Sequence, residues 1–324
     1  MVKRDHGGNL DAARAEYGGS DWIDLSTGIN RRPWPVPAIP AEAWTALPTE
    51  GARRALVEAA SAAYGVASDS ILPLAGAQAA IQLYPRLGVP GVARVLCPTY
   101  NEHAASLTAQ GWQVEPVEGL RGLGGADLAV VVNPNNPDGR CWTPEALEGL
   151  ARKVGLLVVD ESFADPQPEL SVAASVSERL IVLRSFGKFY GLAGARLGFV
   201  LGAPPLLDRL REMAGPWSVS GPALEIGARA LRDRDWQQET TERLAADADR
   251  LDRLALRAGW ALVGGTPLFR TYATPDAEAA QIHLARRAIW TRRFPYSRTW
   301  LRLGLPDGAD WGRVEQAFSE WRPA

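Results

Sequence analysis

The stretch LAVVVNPNNPDGRCWTPEALEGLARKVGLLVVD, residues 128–160, decides the fold. It opens on the apolar run 128–132, passes through a turn built of asparagine and proline, and closes on a second apolar run ending in Asp160. Between the runs, Thr143 suits a helix N-cap, Pro144 the first helical position and Gly155 the stop after the last turn. Strands that are apolar at every position are buried on both faces. The segment therefore predicts a βαβ crossover in a mostly parallel sheet flanked by helices, an α/β fold.

Outward from this unit the alternation continues. ARVLCP (93–98), WQVEPV (112–117), LIVLRS (180–185) and RLGFVLG (196–202) are further strand candidates, separated by helical patterns. After about residue 220 a long Arg/Asp-rich helix is expected over roughly 222–258, followed by the strands GWALVGG, LFRTYA and TWLRLGL. This reads as a smaller α+β domain. Residues 1–50 are rich in Gly, Pro and Trp, and INRRPWPVPAIP repeatedly removes backbone donors and fixes φ, which predicts an irregular arm. The expected division is an arm over 1–44, a large domain over 45–220 and a small domain over 221–324. No fixed-period repeat is present.

With 46% hydrophobic and 22% charged residues and a net charge of -2, the 324-residue chain has the composition of an ordinary globular enzyme. Nothing in it calls for nucleic acid as a partner. Cys97 and Cys141 are too few for a disulfide framework, and His6, His103 and His283 form no ligand cluster, so no metal is expected and a reducing cytoplasm fits. The start MVKRDHGGNLD has no apolar core and no run reaches membrane-spanning length, so neither a signal peptide nor a membrane span is expected. Of 35 basic residues, only Lys3, Lys153 and Lys188 are lysines. Chemistry that needs an amine has few candidates.

An open α/β sheet places its ligand at the carboxyl ends of its strands. Four segments put polar residues there. Gly76-Ala77-Gln78 stands between an apolar run and a helix, where free backbone N–H groups suit an anion. Tyr100, after the strand ending near Cys97, offers a face for a planar ring. Asn133 and Asn136 sit in a rigid turn that can present an amide to a phenolate or carboxylate oxygen. Asp160 ends a buried strand and needs a cationic partner, either a protonated ring nitrogen or Arg196. In LRSFGKFYGLAGARLGF, Ser185 and Arg196 suit a phosphate, while the amine of Lys188 suits a Schiff base with an aldehyde.

Taken together, NPNNPDG, the aspartate of VVDESF and SFGKFYGLAGARLGF resemble the pyridoxal 5′-phosphate (PLP) enzymes of the aspartate-aminotransferase superfamily, class I/II and fold type I, over roughly residues 45–324. The resemblance implies that Lys188 carries the cofactor, that Asp160 pairs with its ring nitrogen and that Asn136 bonds its phenolate oxygen. It places Tyr100 on the ring and Gly76, Ala77, Gln78, Ser185 and Arg196 around the phosphate, and it assigns Arg302 in WLRLGLP to the substrate carboxylate. A homodimer is implied as well.

Within the superfamily, HGGN (6–9), DLSTGIN (24–30) and GPWSVS with Trp217 resemble the decarboxylase branch, which acts on L-threonine O-3-phosphate in cobalamin biosynthesis. His6, Asn9 and Asn30 would then orient the substrate, with Arg31, Arg32 or His6 as candidates for its phosphate. The alternatives are an aminotransferase acting on histidinol phosphate or a related amino acid, and a cofactor-free binding protein on the same fold. The chain departs from the superfamily pattern at Phe163, where many relatives carry tyrosine, at Asp138, which replaces a common threonine, and in LPTEGAR (47–53). That last segment lacks the tyrosine that usually reaches a neighbouring subunit's phosphate.

Overall fold

A computed structural model describes residues 6–322. Lys3 lies outside them. The chain divides into two compact units, one of 33–136 and 141–237 and the other of 1–32, 137–140 and 238–324.

The larger unit is a seven-stranded sheet: β1 (Ile71–Leu74), β2 (Val92–Leu96), β3 (Gln113–Val117), β4 (Leu128–Val132), β5 (Leu156–Asp160), β6 (Leu180–Ser185) and β7 (Gly198–Leu201). Their spatial order is β1-β7-β6-β5-β4-β2-β3. All pairings are parallel except those of β7, which runs antiparallel to both β6 and β1. Every residue of β4 is buried, as the unbroken apolar run requires. The crossover helix Pro144–Ala151 is capped by the Thr143 side chain on the Ala146 N–H. Leu72, Leu74, Ile81, Val95, Val130, Val158 and Ile181 belong to one continuous core.

The expected helix over 222–258 is two helices, Gly221–Ala230 and Arg234–Arg257. Asp233 stands at the break, accepting from the Trp236 N–H at 3.2 Å and from the Trp34 indole at 2.9 Å. The first helix packs closely on the helix Glu50–Tyr64: a Cβ on Gly227 would come within 2.8 Å of Leu56 Cδ1. These two contacts bring Trp34 and residues 221–237 into the larger unit, whereas the sequence division falls at 44/45 and 220/221.

The smaller unit holds an antiparallel sheet of β8 (Ala261–Thr266), β9 (Phe269–Ala273), β10 (Arg292–Phe294) and β11 (Ser297–Gly304) in the order β10-β11-β9-β8. The N-terminal segment is more regular than expected. It forms a helix, Leu10–Tyr17, capped by Asn9, and a short strand, Ile23–Asp24, parallel to Ile289–Trp290. Trp22 and Ala13 pack there against Ala285.

Candidate active site

Asp160, at the end of β5, is buried, and its position is fixed by short-range turn bonds and one long-range partner. Oδ1 accepts from Ser162 N and Oγ at 2.9 and 2.5 Å, and Oδ2 lies 2.9 Å from His103 Nε2. His103 Nδ1 in turn lies 3.1 Å from the Tyr84 hydroxyl. Burial pushes the Tyr84 phenol well above its ordinary value. The ionised Asp160 carboxylate can only accept, so the His103 Nε2–H donates to it. For Asp160 itself, burial works against the charged form but is outweighed by the hydrogen bond and charge of His103 and by the bonds from Ser162, so the carboxyl lies below its ordinary range. The result is a dry carboxylate held in its ionised form. The sequence reading missed His103 because it sits on the helix Glu102–Ala109, 57 positions from Asp160.

One strand over, β6 ends at Ser185 and leads into the short helical turn Phe186–Phe189, which carries Lys188. Its Nζ lies 5.6 Å from the centre of the Phe163 ring. The turn is braced by Phe186 stacked on Tyr190 at 4.3 Å and by Trp34 N donating to the Tyr190 carbonyl. Gly187 cannot carry a side chain, since a Cβ would meet Ala193 Cα at 2.9 Å.

Arg196 adopts φ 50°, ψ 56°, the left-handed region that costs a non-glycine residue about 1–2 kcal/mol. That conformation brings its guanidinium over Gly76, where a Cβ would come 2.8 Å from Nη2, and Gly76 itself has φ 86°. A Cβ on Gly198, the register partner of Ser185, would meet Ala77 N at 2.4 Å. Ser185, the Gly76–Ala77 backbone and Arg196 are thus drawn together by two positions that exclude side chains. A hydroxyl, helix-start N–H groups and a guanidinium in one place suit a phosphate.

Gln78 and Tyr100 lie beside this group, with the Tyr100 hydroxyl 3.3 Å from Gln78 Oε1 and Gln78 Nε2 donating to Glu102 at 3.0 Å. Tyr100 meets His103 edge-on, with ring centres 6.1 Å apart. Of the two asparagines singled out, Asn133 is a brace: its amide bonds the Trp142 and Leu170 carbonyls and accepts from Trp142 N. Its backbone N–H donates to the Asp160 carbonyl at 2.9 Å. Asn136 is half-buried at the end of the same turn.

The residues in the larger unit fit PLP on structural grounds. Asp160 is a buried anion whose neighbouring base is a histidine, and Lys188 stands on the adjacent strand end. The cradle at Gly76 and Gly198 leaves room only for backbone and guanidinium.

In the smaller unit, Arg302 on β11 is buried and donates to the Ser26 carbonyl at 2.6 Å, with its guanidinium 5.3 Å from the Phe269 ring centre. Its register partner on β10 is Arg292. Burial, and then the charge of Arg292, lower its pKa to about 10. The register thus sets two arginines, one of them buried, opposite each other across β10 and β11, a pairing that spacing along the chain did not reveal. Arg292 also lines a cavity of about 730 Å³ together with His6, Asn9, Ser26, Thr291 and Arg298. The Thr291 Oγ1 atom is buried without a hydrogen-bond partner.

HGGN and DLSTGIN meet in this unit. Gly8 N donates to Ser26 Oγ at 2.7 Å, and a Cβ on Gly7 would lie 2.3 Å from the Ser26 carbonyl oxygen. Asn9 Oδ1 caps the first helix, and Asn30 Oδ1 accepts from Arg32 N and from Arg243 at 2.9 Å. Arg31 is paired with Asp310 at 2.7 Å and Arg32 with Asp307 at 3.6 Å.

No helix of the described residues is long and apolar enough to cross a membrane, and none of their His, Cys, Asp and Glu side chains form a metal-binding group. The sequence profile of aminotransferase class I and II matches residues 45–311. The chain is 47% identical to a threonine-phosphate decarboxylase of Pseudomonas aeruginosa and 44% identical to one of a Sinorhizobium species, each over 97% of both chains. It is also 31% identical to a histidinol-phosphate aminotransferase of Mycobacterium bovis, over 82% of this chain and 76% of that one. In fold it is similar to the histidinol-phosphate aminotransferase of Sinorhizobium meliloti, solved in complex with PLP, with a TM-score of 0.87, 21% identity and coverage of 98% and 95%. A second similar structure is the L-threonine-O-3-phosphate decarboxylase of Porphyromonas gingivalis, with a TM-score of 0.74, 17% identity and coverage of 91% and 98%. By sequence, by fold and by the residues at its strand ends, this chain belongs to the aminotransferase class I and II family.

Proposed function

We propose that the protein is a PLP-dependent carboxy-lyase that converts L-threonine O-3-phosphate to (R)-1-amino-2-propanol O-2-phosphate and carbon dioxide, a step of cobalamin biosynthesis. The observation that carries this reading is the full-length match, at 44–47% identity, to two threonine-phosphate decarboxylases. When bound, PLP supplies the electron sink for the pair left at Cα as the carboxylate departs.

The chain's own residues do the rest. Lys188 would hold the cofactor by its amine and is the group placed to return a proton to Cα. Asp160, kept ionised by His103 and Ser162, would hold a proton at the ring nitrogen. Asn136 would donate to the ring oxygen and Tyr100 would cover the ring face. The phosphate of PLP would fall to Ser185, Arg196 and the backbone of Gly76, Ala77 and Gln78.

Arg302 takes the substrate carboxylate in this reading. Arg292 and His6, which line one cavity, take the substrate phosphate in this reading, with Arg31 and Arg32 as the alternatives. Asn9 and Asn30 support the segments that carry these groups. We further infer a homodimer working in the cytoplasm, the first supported by an exposed apolar patch on the larger unit and the second by a chain that holds only two cysteines.

The test is to load the protein with PLP, add L-threonine O-3-phosphate and measure carbon dioxide and aminopropanol phosphate. Histidinol phosphate with 2-oxoglutarate serves as the control. Stoichiometric carbon dioxide supports the proposal, and glutamate formation in the control with no carbon dioxide from threonine phosphate overturns it.

A further inference from the structure

Behind the strand ends lies a second buried charge cluster that the proposed chemistry does not use. In the parallel pairing of β5 with β6, Asp160 stands opposite Leu183. The next residues, Glu161 and Arg184, therefore turn to the other face of the sheet. There Arg184 Nη1 donates to Glu161 Oε2 at 2.8 Å and Nη2 donates to Asp165 Oδ1 at 2.5 Å. All three side chains are at most 8% exposed. The Arg184 guanidinium lies 4.5 Å from the centre of the Tyr64 ring on the helix Glu50–Tyr64. Glu161 also accepts from Ser171 Oγ at 2.6 Å and Val172 N at 2.7 Å.

Stability alone is a poor reason for such a cluster. Burial raises the pKa of both Glu161 and Asp165, with Arg184 acting against it, so each carboxylate is costly to keep charged here. Buried ion pairs are commonly replaced by apolar residues of similar volume without loss of stability. What apolar contacts do not supply is a fixed register. Each bond of this cluster ties one backbone segment to another at a set distance, and the segments tied are the ends of β5 and β6, the turn at 165, the loop at 171–172 and the helix Glu50–Tyr64. Glu161 is the immediate neighbour of Asp160, and Arg184 the immediate neighbour of Ser185.

We propose that Glu161, Arg184 and Asp165 form a positioning network that fixes, from the opposite face of the sheet, the spacing between Asp160, Ser185 and the turn bearing Lys188. The inference rests on the PLP reading above, and none of the three is a catalytic residue. Misplacement of a strand end by a fraction of an ångström loosens the cofactor before it unfolds the sheet.

The test compares Glu161→Gln and Asp165→Asn, which keep shape and remove charge, with Leu147→Ala, a cavity variant on the crossover helix. Three quantities are read: unfolding temperature, PLP affinity from absorbance titration of the apoprotein, and the visible circular dichroism of the lysine-bound chromophore, which reports ring orientation. The expected result is a loss of PLP affinity on the order of tenfold and a clearly reduced visible dichroism in the Gln and Asn variants. Leu147→Ala, at an equal or larger drop in unfolding temperature, keeps both. Arg184→Lys, retaining charge and one bond, falls between wild type and Arg184→Met. The network is overturned if the Gln and Asn variants stay within twofold of wild type in affinity and dichroism, or if their losses track unfolding temperature as the Leu147→Ala losses do. A wild-type protein that forms no lysine-bound chromophore overturns the PLP reading as well, which separates the two failures.

Discussion

Tyr84 and His103 determine what Asp160 can do. With His103 in place, the Asp160 carboxyl lies below its ordinary range, so its folded-state value is depressed relative to the unfolded chain. That contribution to stability is present above the unfolded value of about 4 and is lost as pH falls through the lower folded value. Replacing His103 by leucine leaves burial unopposed by its largest counterweight, and the carboxyl moves up. The acid limb of the kcat/KM profile should then shift to higher pH, with Tyr84→Phe giving a smaller shift in the same direction, both read from pH–rate profiles. Arg302 has the same pH slope but the opposite balance at neutral pH. Its folded value of about 10 is below that of a free guanidinium, so the fold gains stability as pH rises above about 10, and at neutral pH its charge is a cost the apoprotein carries. An anion settled beside Arg302 and Arg292 offsets that cost. Arg302→Met is therefore expected to leave the unfolding temperature unchanged or higher while raising KM on the order of 100-fold. Parallel scanning calorimetry and substrate titration check both halves.

At the scale of elements, local punctuation was readable and long-range partnership was not. The start of the crossover helix could be placed because Thr143 and Pro144 mark it within one short segment, whereas its end falls at Ala151 with Arg152 as the cap, short of the expected stop at Gly155, which is instead pressed against the Asp127 carbonyl. The break between the helices at 221–230 and 234–257 has no glycine or proline to announce it, since it is fixed by the bond from Trp34, 199 positions away, to Asp233. The direction of β7 was equally hidden, because an apolar strand reads the same whichever way it runs. At the candidate site, Lys188, Asp160, Ser185 and Arg196 are named by the sequence because motif and residue chemistry agree on them. His103, Arg292 and Arg184 carry no such signal, because each meets its partners only across neighbouring strands or helices. The helix Glu50–Tyr64 allows a direct check of local punctuation. Thr49 Oγ1 accepts from Ala52 N at 3.1 Å, and Gly65 closes the helix at φ 68°. Thr49→Ala should cost about 1 kcal/mol, and Gly65→Ala a similar amount, each lowering the unfolding temperature by a few degrees. Because this helix carries Tyr64 against Arg184, the same variants show whether fraying its ends reaches the cofactor, by PLP titration beside the melting curve.

For the molecule as a whole, the exposed apolar residues of the larger unit are the feature that a monomer leaves unexplained. Trp44 is 68% exposed, Leu47 64% and Trp217 59%. Trp44 and Leu47 flank Ala46 in one short segment, and Trp217 and Pro48 line the same 380 Å³ cavity. Gly221 holds the two segments together, since a Cβ there would meet the Ala43 carbonyl oxygen at 2.2 Å. Trp217 moreover adopts φ 54°, a conformation that costs a bulky residue energy, with its side chain still in solvent. Large aromatics clustered and exposed in this way are what a self-association contact would bury, because burial of a single tryptophan removes some 200 Å² from water. With a net charge of only -2, little electrostatic repulsion opposes self-association. If this patch is the homodimer contact, Trp44→Glu with Trp217→Asp should lower the mass seen in sedimentation velocity from twice 35.0 kDa to 35.0 kDa. The charges introduced would be buried unpaired across a two-fold axis that doubles every defect. The LPTEGAR segment beside the patch carries no tyrosine that could reach across to a partner's phosphate, so the monomeric variant should keep most of its PLP affinity. A variant that stays dimeric moves the interface elsewhere, and one that becomes monomeric and loses PLP together shows that the partner supplies a cofactor contact by another residue.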